Sequence, residues 1–288
     1  MAEIEKDAVS GRDTTGHEWD GIKELNTPLP RWWLYTFYVS IIWSIGYWVV
    51  YPAWPTLSDY TKGVIGYSSR GELASELEAR DKSRTVWTDK FAALPIEDIS
   101  KDSELLNYAM AGGRAIFAEN CAPCHGASGS GIGSYPVLAD DDWIWGGAVG
   151  DIYTTVNYGI RSTHNDTRLG EMPNFADEGM LGKEQVSDVA EYVLSLSGGA
   201  SDNASAGRGA EIFATECASC HGENGEGVPS MGAPRLSDGI WLYGKTKQNI
   251  VSQISTPKHG VMPAWVDRLD DVSIKQVSVY VHSLGGGQ

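Results

Sequence analysis

Two copies of one five-residue pattern constrain this chain more than any other feature: Cys121-Ala122-Pro123-Cys124-His125 and Cys217-Ala218-Ser219-Cys220-His221. They contain all 4 cysteines, so none remains for a disulfide framework. Two thiols three positions apart on a helical turn reach the two vinyl groups along one edge of a porphyrin. The histidine that follows then aims its ring at the iron from the same side. Cys-x-x-Cys-His is accordingly the attachment pattern of c-type haem. Zinc would need four ligands in a roomier tetrahedron than one pentad offers. A thiol-redox pair would want a βαβ setting that the flanking sequence does not pattern. Two covalent haem c groups are therefore expected, on Cys121 and Cys124 and on Cys217 and Cys220, with His125 and His221 as fifth iron ligands.

The pentads belong to a longer repeat. Ala115-Ile116-Phe117-Ala118 before the first matches Glu211-Ile212-Phe213-Ala214 before the second, at an offset of 96 residues. After each pentad come a Pro-x-Leu (Pro136 to Leu138, Pro234 to Leu236), a tryptophan (Trp143, Trp241) and a Met-Pro (Met172-Pro173, Met262-Pro263). Each copy closes on an apolar helical pattern, Val189, Tyr192, Val193 and Leu196 matching Val277, Tyr280, Val281 and Leu284. A repeat of this length is a domain duplication, and the Gly/Ser/Ala-rich stretch 198–207 reads as a loose linker. Each copy reads as helix, long irregular middle, helix.

Met172 and Met262, 47 and 41 residues after their histidines, are the expected sixth ligands, because they alone among the methionines occupy equivalent places. A thioether raises the iron potential and suits an electron carrier. Met110 and Met180 read as core filler, Met231 follows His221 too closely to reach the opposite face, and His164 and His259 are alternative ligands. Pro136 and Pro234 are expected to turn a carbonyl to each proximal imidazole, and Arg235 to pair with a propionate. With both irons six-coordinate, the chain reads as a carrier with no catalytic site of its own.

From Trp32 to Ser58 no residue is charged, and Trp32 to Tyr51 are mostly aromatic or aliphatic. A helix of that length crosses a hydrocarbon core of roughly 30 Å. Aromatic belts lie at both ends, Trp32, Trp33 and Tyr35 at one and Tyr47, Trp48, Tyr51 and Trp54 at the other. Some thirty mostly polar residues precede the span, so it reads as an uncleaved anchor. The Lys/Arg bias of its flanks leans weakly towards an inside N-terminus.

The stretch Thr15-Gly16-His17-Glu18-Trp19-Asp20-Gly21-Ile22-Lys23-Glu24-Leu25-Asn26, running into Pro28-Leu29-Pro30-Arg31-Trp32-Trp33, resembles the N-terminus of the membrane-anchored dihaem subunit (CcoP or FixP) of cbb3-type cytochrome c oxidases. Lys62-Gly63, Ser69-Arg70 and both haem copies fit as well. The resemblance implies a mainly α chain: one N-terminal transmembrane helix and two tandem class I cytochrome c-like helical domains. The corresponding segments are a cytoplasmic tail at 1–31, the transmembrane helix at 32–54 and a periplasmic connector at 55–103. The cytochrome c domains then lie at 104–198 and 204–288. It further implies a single-pass protein of the bacterial inner membrane, N-terminus in the cytoplasm, haem domains in the periplasm. Electrons would come from a periplasmic cytochrome c and pass to a monohaem subunit, then to the haem–copper subunit that reduces oxygen and pumps protons. Family resemblance also favours exchanged methionines, Met172 on the Cys217/Cys220 haem and Met262 on the Cys121/Cys124 haem; the spacing alone leaves both pairings open.

The net charge of −16 argues against nucleic acid, whose phosphates need a basic face. Residues 104–198 carry 4 basic and 13 acidic side chains, a net of −9; residues 204–288 carry 7 and 8, a net of −1. An acidic face speeds encounter with a basic donor, and Asp140, Asp141 and Asp142 are its candidate docking residues. Two other readings keep the haems: a free-standing membrane-anchored shuttle without permanent partners, and a dihaem peroxidase, which would need one iron lacking its sixth ligand.

Overall fold

The computed structural model describes residues 4–199 and 202–285. The chain divides into two compact units, Met1–Ser83 and Arg84–Gln288.

The first unit opens on a hairpin where the sequence suggested only a polar tail. Strands β1 (Thr14–Trp19) and β2 (Ile22–Leu25) pair antiparallel. Asp20 and Gly21 join them with φ of 50° and 84°. Positive φ at both central residues makes the turn whose twist suits a two-residue hairpin, and Asp-Gly is a strong local signal for it.

Helix α1 (Arg31–Val50) is 20 residues long, with none of them buried by protein. At 1.5 Å per residue it spans the expected 30 Å. Its bulky side chains face outward, Trp43 being 73% exposed, and Thr36, Ser40 and Ser44 turn their hydroxyls back onto carbonyls of the same helix. Apolar surface all round with every backbone group satisfied internally is what lipid demands. Among the described residues α1 is the one helix with the length and composition to cross a membrane. It stops four residues before the expected boundary at 54. Tyr51 is extended, as the residue before a proline prefers, and Trp54 packs edge-on against Trp48 from outside the helix. The chain then returns to the helix end, where the N–H groups of Val64 and Ile65 donate to the carbonyls of Val49 and Val50.

The connector is largely helical. Helix α2 (Ser69–Ala93) carries the chain into the second unit, followed by the short α3 (Ile96–Ile99). There Phe91, Ile96 and Ile99 form a core with Leu105 and Ala109 of α4 (Ser103–Asn120). Chain order continues through α5 (Ala122–His125), α6 (Val149–Tyr158), α7 (Lys183–Leu196), α8 (Asn203–Glu216), α9 (Ala218–His221), α10 (Lys247–Ser255) and α11 (Asp271–His282).

The two copies are contiguous in sequence but exchange their closing helices. Helix α7, which ends the first copy, packs on α8, which opens the second; α11, which ends the second, packs on α4, which opens the first. The reason lies in the linker. It is shorter than expected, because the Asp202 carboxylate accepts from the N–H groups of Ala204 and Ser205 and starts α8 at Asn203. Only residues 197–202 separate α7 from α8, and so short a connection favours antiparallel neighbours. Both crossings are close because a glycine sits at each. A Cβ on Gly113 would lie 2.3 Å from the Gln276 carbonyl oxygen, and one on Gly209 would lie 2.0 Å from that of Asp188.

Candidate haem sites

Each pentad sits at the break of a helix. Helix α4 ends at Cys121 and α8 at Cys217, and the next four residues form one further turn, α5 or α9. Gly126 and Gly222, at φ of 78° and 80°, stop those turns. The chain then folds back through matching hydrogen bonds in both copies, over a longer loop in the second: Gly131 and Gly227 donate to the His125 and His221 carbonyls, and Leu138 and Leu236 to those of Gly129 and Gly225. This fold-back delivers the Pro-x-Leu segment to the histidine.

The Pro136 carbonyl oxygen lies 3.0 Å from His125 Nδ1, and that of Pro234 lies 3.0 Å from His221 Nδ1. A carbonyl only accepts, so Nδ1 carries the proton and Nε2 keeps its lone pair for a metal. Burial lowers both histidine pKa values, against a smaller opposing effect of the carbonyl bond, which keeps the rings neutral. Burial also pushes the Cys121 and Cys217 thiols up to about 11. A reactive redox cysteine is tuned the opposite way, so the thiol-redox reading loses its chemical basis.

The methionines settle beside the other copy's pentad. Met262 packs with Cys121, Ala122, Leu138 and Trp143 against Phe117, Ile152 and Val277. Met172 packs with Ala218, Leu236 and Trp241 against Cys217, Phe213 and Val189. Each follows from the exchanged helices: Met262 precedes α11, which lies on α4, and Met172 precedes α7, which lies on α8. The remaining expectations divide. His259 Nε2 accepts the Met172 N–H at 3.0 Å, and His164 meets Tyr158 at a tilt, with ring centroids 4.9 Å apart; neither joins a pentad cluster. Met110 is half-buried, but Met180 is exposed instead of filling a core; Met231 is exposed as well.

Asp140 and Asp142 are half-buried, and burial raises both carboxyls; only Asp141 is exposed. Asp238, from the matching loop of the second copy, adds repulsion to both, while Arg235 acts on Asp142 in the opposite sense. Arg235 is exposed. Sequence reasoning missed the segment after α6, where Arg168 lies over Trp145 at 5.3 Å with a buried Nε that has no hydrogen-bond partner among the described residues. Nothing in the repeat marks that segment, since the second copy has no arginine in a matching place.

The donor set fits haem c: one thiol of each pentad, Cys121 or Cys217, lies at an apolar cluster that also holds a methionine thioether and a tryptophan, Trp143 or Trp241, and the second thiol and the imidazole follow on the adjoining turn.

Comparison with known proteins agrees over the whole chain. Residues 11–58 match the N-terminal domain of cytochrome oxidase-cbb3, FixP; residues 110–197 match cytochrome c; residues 204–281 match the cbb3-type cytochrome c oxidase subunit III family. A cbb3-type cytochrome c oxidase subunit FixP of Azorhizobium caulinodans is 53% identical over 283 residues, 98% of this chain and 96% of the relative. The CcoP subunit of Azospirillum brasilense is 51% identical over 296 residues, 100% of each chain. The FixP subunit of Bradyrhizobium diazoefficiens is 51% identical over 288 residues, 99% of this chain and 98% of the relative. Cytochrome c domains imply covalently bound haem c.

Proposed function

The chain belongs to the CcoP/FixP family of cbb3-type cytochrome c oxidase subunits, and from that premise we propose that it carries electrons from a cytochrome c donor through two haem c groups to the monohaem and haem–copper subunits. Membership itself makes it an electron-transfer component of an oxidase complex, and α1 suits an inner-membrane protein. The finer assignments are our reading. Bound haem c supplies one-electron exchange between ferrous and ferric iron.

Cys121 and Cys124 hold one haem and Cys217 and Cys220 the other, through thioether bonds. His125 and His221 would each offer an imidazole nitrogen to one iron, and each ring is oriented by its proline carbonyl. The thioethers would be exchanged between copies: Met262 would serve the His125 haem and Met172 the His221 haem. The observation that carries this is the packing of each methionine in the apolar cluster of the other copy's pentad. With the four porphyrin nitrogens, one histidine and one methionine would fill all six positions at each iron and leave none for substrate, so the chain would transfer electrons and the oxygen chemistry would belong to its partner. Trp143 and Trp241 exclude water beside the haems.

The N-terminus lies in the cytoplasm and the haem domains in the periplasm, where haem c is attached. Asp140, Asp141 and Asp142 form part of an acidic face that draws a basic donor, with Asp141 the exposed member. The test is purification of the tagged chain from its native membranes, with oxygen uptake measured from a reduced cytochrome c. Uptake with haem b and copper subunits co-purifying is the expected result. An intact dihaem chain that arrives alone and inert overturns the reading in favour of a free shuttle.

A further inference from the structure

The segments that bear Met172 and Met262 are tied to each other by one side chain. Arg161 follows α6 with φ of 48°, a left-handed conformation disfavoured for any residue with a Cβ. From there its guanidinium spans two carbonyls: Nε donates to Gly260 O at 2.8 Å and Nη1 donates to Gly170 O. Gly260 is two residues before Met262, and Gly170 is two residues before Met172. The preceding residue completes the joint, since Ile160 N–H donates to Met262 O at 3.0 Å and Met262 N–H returns to Ile160 O at 2.9 Å.

A guanidinium is a rigid planar fork, so two donors on it fix the separation of the carbonyls they hold. Backbone strain persists where the surroundings over-determine it, and it clusters where geometry matters to function. We propose that Arg161 is a positioning residue that holds both methionine segments at once, so that the two haem centres share one clamp. It touches neither sulfur nor iron and acts through the two backbones. The inference rests on Met172 and Met262 being the crossed ligands proposed above.

The test uses the full haem-loaded chain and near-infrared magnetic circular dichroism of its ferric form, in which each methionine-ligated iron gives a charge-transfer band. M172A and M262A should each abolish one centre's contribution; unchanged spectra would sink the ligand reading, and the clamp with it. R161Q should weaken both contributions together and let the reduced protein bind carbon monoxide at both irons. If the methionine variants behave as expected but R161Q keeps both contributions, or loses only one, the shared clamp is wrong while the ligand reading stands. R161K keeps the charge but offers one nitrogen in place of the fork, and covers the case in which R161Q does not accumulate. Loss at one or both centres is expected, and wild-type contributions at both would overturn the proposal. D188N, which weakens the α7–α8 ion pair with Arg208 but touches neither the Gly170 nor the Gly260 carbonyl, should leave both contributions intact and so separates clamping from general loosening.

Discussion

The two helix crossings are built alike but finished differently. Gly113 and Gly209 let α11 and α7 approach at the same closeness, and both pentads carry the same turn and the same proline carbonyl. The outer faces then diverge. At the α4–α11 crossing, Val279 is buried under Phe91, Ile96 and Ile99 of the connector, and Lys275 donates to the carbonyls of Ala92 and Leu94 at 3.1 Å each. At the α7–α8 crossing, the residue matching Val279 is Glu191, 2% exposed and paired with Lys247 at 2.9 Å. Asp188 beside it takes both ends of the Arg208 guanidinium at 2.7 Å. One crossing carries an apolar cover from the connector residues Phe91, Ile96 and Ile99; the other carries the charged pairs Glu191–Lys247 and Asp188–Arg208. Duplication set the haem-holding frame, and the surroundings chose the chemistry on its back.

The largest effect should come from removing the cover. Phe91 is fully buried, so F91A should cost roughly 4 kcal/mol; a melting temperature of the haem-loaded chain near wild type would show that the connector is not integral to the first crossing. Importing the second crossing's residue is the sharper test. V279E buries a carboxylate among Phe91, Ile96 and Ile99, where the nearby Lys275 is already engaged by two carbonyls and Asp271, and should cost roughly 3 kcal/mol, whereas the reverse change, E191V, should stay within about 1 kcal/mol because the half-exposed Lys247 can return to water. Equal costs would mean the two faces are not as different as their residues suggest. K275M keeps the apolar stem but drops two carbonyl bonds and the Asp271 ion pair at 3.2 Å, a loss of about 2 kcal/mol. Denaturant titration of the full chain measures it.

The smallest effect is D188N, about 1 kcal/mol because Arg208 is largely exposed. Hydrogen bonds from Arg208 hold the Asp188 carboxyl below its ordinary value of 3.8. A carboxyl depressed on folding stabilises fully above its unfolded value and loses that contribution as pH falls through the folded one. The stability gap between wild type and D188N should therefore be constant near neutrality and close below pH 3.8. A gap that persisted unchanged in acid would detach the pair from stability.

Much of this protein is legible without coordinates, because covalent and one-dimensional constraints write themselves into residue order. Thiol spacing and the adjacent histidine specify haem attachment, twenty uncharged residues specify a span, and equivalent positions single out Met172 and Met262 from four other methionines. The hairpin was legible too, in Asp20-Gly21, but a short polar segment hides such a turn among ordinary surface residues. What no pattern decides is which copy each closing helix serves. Val189, Tyr192, Val193 and Leu196 present the same apolar stripe as Val277, Tyr280, Val281 and Leu284, so either helix suits either partner by composition. The short connection between α7 and α8 resolved that choice in three dimensions, and the place of each methionine followed from it. Arg161 belongs to the same class: its meaning comes from two carbonyls, at Gly170 and Gly260, that only the exchanged packing brings within reach of one side chain.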